Sequence, residues 1–104
     1  MTREELLKGI RSKLEDAFGQ RLRGVMLYGS EARGQAGPDS DIDLLVLLDT
    51  VDDWSADSRR CIDGLYPLVL ESGRPIHAEP VPVDRFQTYD CPLFREIKRE
   101  GIPV

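Results

Sequence analysis

The stretch VMLYGSEARGQAGPDSDIDLLVLL, residues Val25 to Leu48, decides the fold. It contains two short apolar runs, Val25 to Tyr28 and Leu44 to Leu48, separated by a segment rich in glycine and polar residues. Short apolar runs bounded by turn residues suit buried strands, and Gly29 ends the first one abruptly. The second, from Asp41 to Leu48, is apolar almost throughout after its first three residues, as expected of a central strand covered on both faces. Between the two, Ser30 or its neighbours open a short helical turn through Arg33, and Gly34, Gly37 and Pro38 break the chain into a loop.

Chemistry-bearing residues cluster at the facing ends of these strands. Gly29 and Ser30 follow a strand and precede a helical turn, so the free backbone N–H groups of that turn suit an anion, and glycine lets a phosphate approach closely. Taken alone, a Gly-Ser pair is more often only a turn. Asp41 and Asp43 are two apart on a strand, so they project on the same face with Cα atoms roughly 6.5 to 7 Å apart. Like charges that close are costly without a cation. Mg²⁺ is the natural one, because it takes a few carboxylates together with substrate phosphates. The bland alternative is that both aspartates cap a solvated strand end, a reading that suits Asp39 better. A calcium loop fails, since its sixth position, counted from Asp39, is Leu44 rather than glycine and its twelfth is Thr50 rather than glutamate.

Working outward, Thr2 to Glu5 has the form of a capping box, and Leu6, Leu7, Ile10, Leu14, Ala17 and Phe18 recur at helical spacing until Gly19. Asp52 to Ser72 is mostly helical, with Trp54, Cys61, Ile62, Leu65, Val69 and Leu70 as core candidates, and Pro67 is expected to kink or interrupt it. Ile76 to Val83 reads as a strand whose Pro80 and Pro82 argue for an edge or an irregular ladder. Pro92 to Glu100 reads as a short helix with Leu93, Phe94 and Ile97 inward, ended by Gly101. The order helix, strand, turn, strand, helix, strand, helix implies an α/β fold, a small mixed sheet with helices packed on it.

The 104 residues fit one domain, 1–104, with a modest core that a partner or a homo-oligomer would help to stabilise. With 19 acidic against 14 basic residues the net charge is -5, which argues against a long nucleic acid as partner. A small anionic nucleotide stays compatible, because a bound cation supplies positive charge locally. Cys61 and Cys91 form no C-x-x-C pair, so zinc and redox motifs lack support. No apolar run has the length of a signal peptide core or a membrane span, and the expectation is a cytoplasmic protein. A lone His77 reads as a surface or packed residue, since metal sites need several ligands. Arg95, Lys98 and Arg99 are interspersed with Glu96 and Glu100 as in ordinary helix pairs.

Gly29-Ser30, ten residues, then Asp41-Ile42-Asp43, with apolar strands on both sides, resembles the signature of the DNA polymerase beta-like nucleotidyltransferase superfamily, and within it the minimal nucleotidyltransferases. The motif spans 15 residues, and the order of elements elsewhere is compatible with that fold. The resemblance implies magnesium-dependent transfer of a nucleoside monophosphate from a nucleoside triphosphate such as ATP to a hydroxyl, with Gly29 and Ser30 on the nucleotide and Asp41 and Asp43 on the metal. Arg33 suits the nucleotide through bidentate hydrogen bonds to phosphate, though an arginine in a polar turn is as often simply solvated. The resemblance implies a third carboxylate on the later strand, where Glu79 stands in place of the usual Asp and is followed by Pro80; the other reading of Glu79 is a surface glutamate on an edge strand. It also implies a HEPN-domain partner in a toxin–antitoxin pair, with the acceptor hydroxyl on that partner. The alternative is a noncatalytic antitoxin that keeps the fold and acts by contact.

Overall fold

A computed structural model describes all residues, 1–104. Helix α1 (Arg3–Phe18) starts where the Thr2 side chain accepts from the Glu5 N–H, and Thr2 Oγ1 lies 3.1 Å from Glu5 Oε1. The N-cap half of the capping box is therefore engaged, while the Glu5 carboxylate accepts from the Thr2 hydroxyl rather than from its backbone N–H. Leu6, Ile10, Leu14 and Phe18 form its buried stripe, and Gly19 closes it at a positive φ of 57°. A single 3-10 turn leads into β1 (Leu22–Tyr28), which begins three residues before its apolar run.

Strand β2 (Ile42–Leu48) lies at the centre of a four-stranded sheet of order β3-β2-β1-β4. It runs antiparallel to β1 and parallel to β3 (Ile76–Pro82), the crossover being made by α2 (Trp54–Ser72). Asp41 lies just before β2 rather than within it. The edge position expected for β3 from its prolines is observed, since a missing N–H costs nothing on an unpaired side. Two short elements are additional to the sequence reading: α3 (Val83–Thr88), and β4 (Ile102–Pro103), which pairs with Met26 and Leu27 after α4 (Pro92–Glu100).

The alternation along β2 builds two cores. Ile42, Leu44, Val46 and Leu48 pack with α1 and α2, while Leu45 and Leu47 pack with Val81, Phe86 of α3, and Phe94 and Ile97 of α4. This two-sided burial is why β2 reads as a continuous apolar run. The larger core takes Cys61, Leu65 and Leu68 from α2. Trp54, Ile62 and Leu70 are exposed instead, which corrects their expected place in the core, and Leu93 of α4 is likewise exposed. Two apolar stripes compete along α2, and the sheet accepts only one. Of the kink or interruption expected at Pro67, the interruption does not occur, and helix α2 continues through it. Pro67 and Asp63, whose carbonyl loses the N–H of residue 67, are both on the exposed side, where water can satisfy that carbonyl.

No helix is long and apolar enough to cross a membrane. The two buried carboxylates, Glu31 and Asp57, are each met by arginine. Arg21 forks onto Asp57 at 3.0 and 2.8 Å and donates to the Thr50 carbonyl at 3.1 Å, fastening the start of β1 to α2 and to the loop after β2.

Candidate active site

The antiparallel register sets Tyr28, the last residue of β1, opposite Asp43 near the start of β2. The chain then turns at Gly29, whose φ is +75°. A Cβ on Gly29 would lie 2.6 Å from Asp43 Oδ2, so the glycine is required both by its backbone conformation and by the carboxylate packed against it. The turn that follows is closed by Arg33 N–H to Gly29 O at 3.2 Å and Gln35 N–H to Ser30 O at 2.9 Å, one helical turn without a regular helix. Gly29, followed by Ser30, thus meets Asp43, 14 positions further along the sequence, at one corner of the sheet.

Asp43 belongs to the face of β2 that carries Leu45 and Leu47, the side of α3 and α4. On β3 the parallel register puts His77 beside Asp43 and Glu79 beside Leu45. His77 Nε2 lies 3.1 Å from Asp41 Oδ2, both side chains being more than half exposed. Glu79 accepts from the Trp54 indole N–H at 3.1 Å. The strand neighbour of Asp43 is therefore a histidine, with Glu79 one step further along the same face. Strand alternation in the sequence put residues 77 and 79 on one face without saying which flanks Asp43.

Arg33 turns toward α4, with Nη1 3.5 Å from Glu96 Oε1 and 3.9 Å from Glu100 Oε2. The field at this corner is acidic. The Tyr28 hydroxyl is held above its ordinary pKa by burial first, and then by the charges of Asp43, Glu79 and Glu96. Such a field favours a cation and opposes a bare anion. The donors at hand are carboxylate oxygens plus one imidazole, a set compatible with a hard divalent ion at Asp41 and Asp43. No three His, Cys, Asp or Glu side chains already converge as a metal cluster. A cleft of about 290 Å³ opens alongside, between Trp54, Ser58 and Ile62 of α2 and Ile76 to Glu79 of β3, with Tyr28 in its wall. A larger depression of about 660 Å³ lies between α1 and Val104, and neither Gly29-Ser30 nor the acid pair lines it.

The sequence profile of the nucleotidyltransferase domain family matches residues 7–99. The chain belongs to that family. No curated protein sequence gives a significant match. Among solved structures, a candidate minimal nucleotidyltransferase shares 26% identity over all of this chain and 97% of its own, with a TM-score of 0.57. A spectinomycin adenyltransferase from Enterococcus faecialis, solved with ATP and spectinomycin, superposes at a TM-score of 0.75 with 15% identity, over 99% of this chain and 56% of that one. A toxin–antitoxin structure with AMP-PNP gives a TM-score of 0.68 at 20% identity, over 92% of this chain and 69% of that one. The mixed sheet with packed helices is the nucleotidyltransferase fold, and fold and family are those of transferases.

Proposed function

We propose that this minimal nucleotidyltransferase binds a nucleoside triphosphate, ATP in the first instance, at the Gly29-Ser30 turn and transfers its nucleoside monophosphate to a hydroxyl. The observation that carries the reading is the packing of Asp43 against Gly29, which brings a carboxylate up to a turn with free N–H groups and so supports a joint metal and phosphate site. The free N–H groups of the turn hold the β and γ phosphates. Asp41 and Asp43 would hold Mg²⁺, which when bound neutralises the triphosphate charge and stabilises the departing pyrophosphate. The acceptor oxygen forms a bond to the α-phosphorus as the bond from that phosphorus to the β-phosphate oxygen breaks. The acceptor hydroxyl gives up its proton to solvent water, and pyrophosphate leaves. Positioning and electrostatics carry most of such phosphoryl chemistry, so a turn and a few carboxylates can suffice.

Glu79 acts as a further carboxylate from β3, and His77, beside Asp43, is an alternative third donor. Arg33 would have to leave Glu96 to reach a phosphate. The acceptor hydroxyl belongs to a partner protein, for which the likeness to toxin–antitoxin structures is the support, a HEPN-domain toxin being the expected kind. A second reading, a noncatalytic antitoxin acting by contact, is favoured by two observations: His77 occupies the position flanking Asp43, and Glu79 is engaged by Trp54. Incubating the protein and its partner with ATP labelled on the α- or the γ-phosphate separates the two readings. Transfer of the α label alone, with pyrophosphate released, supports the transferase; complex formation without transfer of either label supports the contact mechanism.

A further inference from the structure

The glycine turn, residues 29–34, and the segment leading into β2, residues 40–41, have no backbone hydrogen bond to each other. Asp41 precedes the strand ladder, so the ladder that places Asp43 does not by itself place Asp41. One side chain spans the gap. Arg74, in the connection between α2 and β3, donates from Nε to the Ser40 carbonyl at 2.9 Å, and its Nη1 pairs with Glu31 of the turn. The arginine side chain is 12% exposed and that of Glu31 is 9% exposed. The second oxygen of Glu31 meets Arg3 Nε at 3.4 Å, so α1 also holds the carboxylate.

We propose that Arg74 is a positioning residue for nucleotidyl transfer: anchored by Glu31, its guanidinium fixes the Gly29-Ser30 turn relative to Ser40 and hence Asp41. The inference rests on the transferase reading. Lysine could not substitute, because a single ammonium lacks the rigid planar fork that meets a carboxylate and a carbonyl in two fixed directions. Arg74 Nη2 is buried without a partner. A buried arginine with an idle donor is a poor source of stability. Its two engaged nitrogens are what join the two halves of the site.

The test compares wild type with Arg74→Lys, Arg74→Met, Glu31→Gln, the Arg74→Met/Glu31→Gln double variant and Arg3→Met. Backbone amide shifts are recorded without ligand, and Mg-ATP affinity is measured by calorimetry. Each substitution at 74 or 31 is expected to move the resonances of both Gly29-Ser30 and Ser40-Asp41 and to weaken Mg-ATP binding at least tenfold. The double variant should bind no more weakly than the weaker single, because both break the same link. Arg3→Met, which touches Glu31 but not Ser40, should leave Ser40-Asp41 in place. Shifts confined to the segment nearest each substitution, or wild-type affinity in Arg74→Lys and Glu31→Gln, would overturn the proposal. Those two conservative variants carry the test if Arg74→Met does not fold. Should wild type itself fail to bind Mg-ATP, the transferase reading falls, and paired movement of the two segments still decides whether Arg74 links them.

Discussion

Replacing Gly29 by alanine probes the corner of the site through two separable costs. A left-handed residue with a Cβ costs about 1 kcal/mol, and Gly29 has a φ of +75°. The new methyl would also lie 2.6 Å from Asp43 Oδ2, well inside the carbon-to-oxygen approach of roughly 3.3 Å. Driving the carboxylate off its rotamer costs about 1 kcal/mol more. The sum of about 2 kcal/mol lowers the melting temperature by roughly 10 °C in a domain of this size. Gly73→Ala is the matched control, because Gly73 has a φ of +71° and no atom within 4 Å of an added Cβ. It should cost about half as much, roughly 5 °C by the same scaling, and leave nucleotide binding intact. Differential scanning calorimetry and titration with Mg-ATP measure both effects. Glycine 29 variants that bind Mg-ATP as wild type does, or equal loss of affinity in both variants, would refute the claim that this glycine serves the site by making room for Asp43.

Burial pushes the Cys61 thiol up from 9.0 to about 12, with Asp57 and Glu79 adding to the effect, while Cys91 is only partly buried. A disulfide-exchange reagent at pH 8 should therefore react rapidly with Cys91 and reach Cys61 only on unfolding. The same shift means that between pH 9 and 12 the unfolded chain loses the Cys61 proton while the folded one keeps it, so this contribution to stability is whole below pH 9 and is lost through that window. Arg21→Ala leaves the buried Asp57 without its fork and should cost about 2 kcal/mol in urea unfolding, less than a fully buried pair because Arg21 is 37% exposed. His77→Asp exchanges an imidazole for an oxygen donor beside Asp43 and should tighten Mg²⁺-dependent ATP binding at least threefold by calorimetry; unchanged or weaker binding would remove position 77 from the metal site. Ile62→Ser and Leu70→Ser, on the exposed face of α2, should each shift unfolding by no more than about 0.5 kcal/mol.

The part of the fold written locally was legible. The Thr2 N-cap of α1, the glycine that ends it, the two apolar strands and the edge prolines of β3 each rest on residues a few positions apart, and all are observed. What failed depended on partners distant in sequence. Along α2 the stripes Cys61, Leu65, Leu68 and Ile62, Tyr66, Leu70 have comparable spacing, and only the placement of the helix on the sheet decides that the first is buried. Helix α3 and strand β4 are too short for periodicity to register, and β4 exists only because β1 offers it an edge. At the site, Gly29, Ser30, Asp41 and Asp43 stood out by type and spacing. The position of His77 beside Asp43 follows from a parallel register, and the link from Arg74 to Glu31 and Ser40 joins three separate segments, so neither left a local signal.

The central claim is that the Gly29-Ser30 turn and the aspartates beside it form one magnesium-dependent triphosphate site. Calorimetric titration of ATP, with and without Mg²⁺, into wild type and into the Asp41→Asn/Asp43→Asn double variant tests it most directly. The account predicts binding that requires Mg²⁺ and is abolished in the double variant while its melting temperature stays within a few degrees of wild type. Binding that is equal in both proteins, or absent from a folded wild type, would contradict it.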